Sequence, residues 1–227
     1  MDRQSRLHGV RLVAPAACDA GGAFAPAATE VKRIGLFGGS FDPVHNAHLA
    51  LARRSLDQLP LDELRWVPTG QAWQKARPLT GAAHREAMLQ RAIAGEPRFV
   101  LERCELERPG PSYTLDTVRK LQAAQPDAAW FLLIGQDQFA GLHTWFGFEE
   151  LLQRVTLAVA QRPGEPAECD ARVRAAPRVA LALPLMDVSA TDIRQRVAAG
   201  ADISALVPPT VALYIQQHGL YRGTARS

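Results

Sequence analysis

I-G-L-F-G-G-S-F-D-P-V-H-N-A-H-L, residues 34–49, changes character twice within one short stretch. Ile34 to Phe37 is an apolar run. Gly38 and Gly39 break it, Pro43 turns the chain, and Leu49, Ala52 and Leu56 then recur at helical spacing. The reading is strand, glycine turn and helix, with His45 and His48 at the junction. Backbone N–H groups at such a turn and helix start attract phosphate. Glycines there let the main chain approach a ligand that a Cβ would hold off.

Working outward, strands and helices alternate from about residue 31 onward. Strands are expected at Arg33–Phe37, Leu64–Val67, Phe99–Glu102, Trp130–Ile134, Val155–Ala160 and Val179–Leu183. Helices are expected at Asn46–Leu59, Ala82–Ala94, Thr114–Ala124, Thr191–Ala199 and Thr210–His218, with two short ones in Gln136–Leu152 broken near Trp145. Arg162–Pro177, rich in proline and charge, reads as a surface excursion. The fully apolar Trp130–Ile134 is the kind of strand that a parallel sheet buries on both faces. This alternation implies an α/β fold, a doubly wound Rossmann-like parallel sheet with helices on both faces. Such sheets bind ligands beyond the carboxyl ends of the strands, where the strand order reverses. In the common order the first and fourth strands flank that crevice. Gly38-Gly39-Ser40 and Gly135-Gln136-Asp137 follow those two strands.

The chain has 227 residues, 47% of them hydrophobic, and a formal charge of +3. That length suits one domain, read as residues 31–222, between an Ala- and Gly-rich tail (1–30) and a short C-terminal tail (223–227). The charge is too small to argue for nucleic acid, and no basic, aromatic-interleaved stripe is present. No apolar run reaches membrane-spanning length. Cys18, Cys104 and Cys169 are odd in number and far apart, which indicates neither a disulfide framework nor a zinc site and fits a reducing cytoplasm.

Each candidate site residue has two readings. His45 and His48 lie one helical turn apart, so they can donate to one phosphate group; they can equally cap and pack. Ser189, Thr191 and Arg194 combine hydroxyls and a guanidinium at a helix start, a seat for polyphosphate or an ordinary cap with a solvated arginine. Asp137, just past a buried strand, can bind ribose hydroxyls or cap the next helix. Trp145 and Phe146 can stack on a flat heterocycle or belong to the core. The free N–H groups where Ser112-Tyr113-Thr114 opens a helix can hold a carboxylate, and Lys75 in the 68–81 loop can meet phosphate. The Walker pattern of P-loop enzymes is missing.

Taken together, G-G-S-F-D-P-V-H-N-A-H-L (38–49), S-Y-T-L-D-T (112–117), I-G-Q-D (134–137), L-H-T-W-F (142–146), V-S-A-T-D-I-R (188–194) and V-P-P-T-V-A-L-Y-I-Q-Q-H-G-L-Y (207–221) resemble the nucleotidyltransferase superfamily with the H-x-G-H signature. Within it they are most similar to the bacterial nicotinate-mononucleotide adenylyltransferases, in that family's order and over Ile34–Tyr221. Ala47 stands where the signature usually has glycine. The resemblance implies transfer of an adenylyl group from ATP to nicotinate mononucleotide, with Mg2+ carried on the ATP phosphates. By matched position, Gly38, Gly39, Ser40 and Phe41 would line the cleft. His45 and His48 would meet the ATP phosphates and stabilise the transition state. Gly135 and Asp137 would hold adenosine, and Ser189, Thr191 and Arg194 the triphosphate. Trp145, beside Phe146, would stack on the pyridine ring, and the N–H groups near Thr114 and Leu115 would receive its carboxylate. Lys75 would join the mononucleotide site. A homo-oligomer is left open. Pantetheine-phosphate adenylyltransferase and a non-catalytic nucleotide-binding module on the same scaffold are the alternatives.

Overall fold

Residues 31–71, 78–161, 169–182 and 186–222 are described by the computed structural model. Lys75, and the segments read as tails at 1–30 and 223–227, lie outside them. The elements are β1 (Arg33–Gly39), α1 (Asn46–Gln58), β2 (Glu63–Pro68), α2 (Ala82–Ile93), β3 (Phe99–Leu101), α3 (Cys104–Glu107), α4 (Thr114–Ala124), β4 (Ala129–Gly135), α5 (Gln136–Ala140), a 3-10 turn (Leu142–Thr144), α6 (Phe148–Arg154), β5 (Thr156–Gln161), α7 (Ala171–Ala175), β6 (Arg178–Ala182), α8 (Ala190–Ala198) and α9 (Pro209–Gln217). The strands form one parallel sheet in the order β3-β2-β1-β4-β5-β6. The order therefore reverses between β1 and β4, as the sequence reading assumed.

Strand periodicity assigns the two faces. Ile34, Leu36, Leu132, Ile134, Leu157 and Val159 point to one side and pack with Leu115, Val118 and Leu121 of α4, Leu151 of α6 and Val173 of α7. Phe37, Leu133, Ala158 and Ala160 point to the other side, where α1, α2 and α9 contribute Leu49, Ala52, Leu56, Met88, Leu89, Val211 and Ile215. Each fully buried Leu or Ile in these layers contributes about 1.5–3 kcal/mol of transfer free energy. This two-sided burial explains why β1 and β4 read as unbroken apolar runs.

Two short helices differ from the expectations. α3 was not expected, because four residues are too few to show helical periodicity. α7 lies inside the stretch read as an excursion; Asp170 caps it by accepting the Arg172 N–H at 2.8 Å. The Gln136–Leu152 region holds the two expected short helices, α5 and α6, and the break near Trp145 is a 3-10 turn and the residues after it.

Candidate active site

A cavity of about 1010 Å³ opens at the carboxyl ends of β1 and β4. Gly38, Gly39, Ser40, His45 and His48 line it from the first loop, Gly135 and Asp137 from the second, and Ser189, Thr191 and Arg194 from the start of α8. Thr114 lines it from the start of α4, and Trp145 and Phe146 from just after the 3-10 turn. Residues spread over more than 150 positions of sequence thus share one space. A Cβ built on Gly38 would meet nothing within 4 Å, so the turn keeps open room for a ligand.

The histidines sit at the start of α1, whose N-cap is His45. Their rings stack with centroids 3.6 Å apart, and the His45 N–H donates to His48 Nδ1 at 3.2 Å. Neutral His48 therefore carries its proton on Nε2, the nitrogen not committed to the cap. Burial pushes the His45 imidazole down to about 4. Burial, and the charge of His45 beside it, hold His48 well below the ordinary imidazole value. Both rings are neutral near pH 7, and His45 Nδ1 is buried with no hydrogen-bond partner. Capping and phosphate binding, posed as alternatives from sequence, are compatible here.

Phe41 was expected to line the cleft. It is 1% exposed and stacks edge-on to Phe37 and His48, with ring centroids 5.6 and 5.1 Å away. It supports the His48 ring from the core. Leu115 likewise buries its side chain among the α4 core residues, so only its backbone N–H is available to a ligand. The first α4 amide with a helical acceptor is Thr117, bonded to Tyr113 O at 3.2 Å; the N–H groups before it have none within the helix. Ser112 is no cap. Its hydroxyl accepts the Gly70 and Gln71 N–H groups at 3.1 and 3.3 Å.

The remaining predicted residues divide in the same way. Ser189 caps α8 by accepting the Asp192 N–H at 3.1 Å, but the Asp192 carboxylate turns to Arg196, so only half of a capping box forms. Arg194 donates to Thr191 Oγ1 at 3.0 Å and across to the main-chain carbonyl of Asp42 at 2.8 Å. Gln138 closes the start of α5 by accepting the Gly135 N–H at 2.9 Å. Trp145 is half-buried, with one side against the α4 core, and Phe146 is exposed and packs on Tyr113 at 4.6 Å.

Several residues at the site were not singled out from sequence. Arg85 is 1% exposed and donates to Thr80 O and Ser40 O at 2.8 and 3.0 Å; its only sequence signal was a place on the apolar face of α2, with Met88 and Leu89. Glu105 lines the cavity floor and accepts the Thr117 hydroxyl at 2.8 Å, while burial raises its carboxyl above the usual range. Asp42 is fully buried behind the first loop. Chemically, the cavity offers neutral N–H donors, a guanidinium and helix N-termini to an anionic ligand, with a carboxylate and aromatic faces beyond them.

The cytidylyltransferase-like family model matches residues 36–196. A probable nicotinate-nucleotide adenylyltransferase of Methylibium petroleiphilum is 52% identical over 205 residues, 86% of this chain and 94% of that protein. One of Bordetella petrii is 48% identical, covering 85% of this chain and 100% of that protein. The solved Plasmodium falciparum nicotinic acid mononucleotide adenylyltransferase, complexed with NaAD, superposes with a TM-score of 0.71 at 21% identity over 84% of this chain and 97% of that one. With the strand order, the paired histidines and these relatives in agreement, the chain belongs to the nicotinate-nucleotide adenylyltransferase family of cytidylyltransferase-like enzymes.

Proposed function

We infer that this chain transfers the adenylyl group of ATP to nicotinate mononucleotide, giving deamido-NAD and pyrophosphate in NAD biosynthesis. The observation that carries this reading is the convergence of His45, His48, Arg194 and the α4 N-terminus on one cavity at the β1/β4 crevice. A phosphate oxygen of the mononucleotide attacks the α-phosphorus of ATP, and the bond to the β,γ-pyrophosphate breaks. No protein nucleophile takes part. Catalysis is positioning plus stabilisation of charge on the phosphoryl oxygens.

In this reading His45 and His48 donate to the phosphates, and Ser189, Thr191 and Arg194 seat the triphosphate. Gly38, Gly39 and Ser40 allow close approach of both nucleotides. Gly135 and Asp137 hold the adenosine. Trp145, flanked by Phe146, stacks on the pyridine ring, and the first-turn amides of α4 receive its carboxylate. A carboxylate accepts from N–H groups that an amide nitrogen would oppose, so the acid is favoured over the amide. Among the described residues no group of three or more His, Cys, Asp or Glu side chains could hold a metal ion. Mg2+ would arrive on the ATP phosphates, where it would neutralise part of the triphosphate charge.

The test is pyrophosphate release in the presence of ATP and Mg2+ with nicotinate mononucleotide, nicotinamide mononucleotide or phosphopantetheine. Release with the first well above the others is expected. Release only with phosphopantetheine would move the chain to the neighbouring transferase class. ATP binding with no release from any acceptor would leave a nucleotide-binding module.

A further inference from the structure

Asp42 lies between the glycine turn and the histidines, and none of it reaches solvent. Its carboxylate accepts the Tyr221 hydroxyl at 2.7 Å and the Thr80 N–H at 3.2 Å. Its main-chain carbonyl accepts Arg194 at 2.8 Å. Buried Arg85 ties the same knot from below, donating to Ser40 O and Thr80 O. Four segments therefore meet at one turn: the loop after β1, the approach to α2, the first turn of α8 and the turn after α9. Among the described residues, the non-glycine positions with left-handed backbone are Phe41 (φ 46°) and Tyr221 (φ 62°). One sits beside Asp42, and the other supplies its hydroxyl partner. Such backbone persists only where its surroundings over-determine it, and it clusters at functional sites.

We propose that Tyr221 is a positioning residue of the transfer reaction, whose hydroxyl, through Asp42, holds the Phe41–Val44 turn so that His45, His48 and Arg194 converge on the same phosphates. This rests on the functional reading above. Tyr221 does not line the cavity. It acts through Asp42, whose side chain it fixes and whose carbonyl in turn fixes Arg194. Three residues on, the same turn delivers His45 as the N-cap of α1, and the helix start is anchored on the far side by Asn46 N–H bonded to Leu206 O at 2.9 Å. If the hydroxyl is lost, the Asp42 carboxylate keeps the Thr80 N–H but loses its tether to the turn after α9, and the segment that presents its carbonyl to Arg194 is held less tightly. The two imidazoles and the guanidinium are then aligned less closely on the same phosphates, although the ring and the core beneath it remain.

Tyr221→Phe keeps the ring and removes only the hydroxyl. In the full chain it is expected to lower kcat about tenfold, with KM for both substrates nearly unchanged, as for a misplacement of about an ångström or less at the reacting group. Amide exchange of the 40–48 segment is expected to accelerate while that of β4 stays as in the wild type. If kcat and 40–48 exchange both match the wild type, the proposal is overturned, even if the melting temperature falls. Asp42→Asn and the double variant add a second check. A double variant no slower than Asp42→Asn alone supports action through Asp42, and multiplying losses overturn it. Should the wild-type chain release no pyrophosphate, the functional reading fails by itself, and the exchange measurement still decides whether the latch exists.

Discussion

His48 shows how one residue can fill a structural position and still present a free donor. Its Nδ1 accepts the His45 N–H and completes the start of α1, which leaves Nε2–H to donate. Replacing His45 or His48 with Ala is expected to lower kcat by about 10²–10³-fold, the usual cost of removing one donor to developing charge. Steady-state pyrophosphate release checks this, and near-normal turnover in both variants would remove the histidines from the mechanism. The same burial has a consequence for stability. His45 binds its proton with a value of about 4 in the folded chain but about 6.5 when unfolded. The unfolded state therefore takes up more protons between those values, and stability present above pH 6.5 is lost as pH falls toward 4. At pH 5 the loss relative to pH 7 is about 2 kcal/mol for this one group. Denaturant unfolding of the wild type and His45→Gln at both pH values measures it, and equal losses in the two proteins would contradict it.

Among the elements, α4 and α8 both open their N-termini on the cavity, and they are held in place differently. α8 carries its own cap. Ser189→Ala should cost about 1 kcal/mol and raise KM for ATP more than KM for the acceptor, read by denaturant titration and steady-state kinetics. α4 has no side-chain cap and is placed from outside. Ser112 and Glu105 bind it to the segment after β2, and a Cβ on Gly70 would lie 2.1 Å from the Glu105 carbonyl oxygen. Gly70→Ala is expected to destabilise the protein by about 1–3 kcal/mol, the range for overpacking, and to raise KM for nicotinate mononucleotide. An unchanged unfolding midpoint would show that this junction yields freely. The long helices were legible in sequence because each shows two or more turns of apolar spacing. α3 and α7 were not, since four or five residues carry no period. The support that Ser112 gives to α4 was not legible either, because its donors lie about forty positions upstream.

For the molecule as a whole, the sheet begins at Arg33 and the family match at residue 36. A chain starting at Val31 is therefore expected to fold and to keep the activity of the full protein; a collapse of either would show that the first thirty residues contribute to the domain. No helix among the described residues is long and apolar enough to cross a membrane. The sequence by itself determined the alternation of strands and helices, the glycine turn, the histidine pair and the loop after β4, since each is a local pattern of residue types at fixed spacing. Only the tertiary structure decided which face of each residue is used. It turned Phe41 into the core, set Gln138 on the Gly135 N–H at the start of α5, and brought Tyr221 to Asp42 across 179 positions. Periodicity specifies which side of an element is apolar. It does not specify which distant hydroxyl or guanidinium will satisfy a buried carboxylate, because that depends on how the finished layers bring separate loops together.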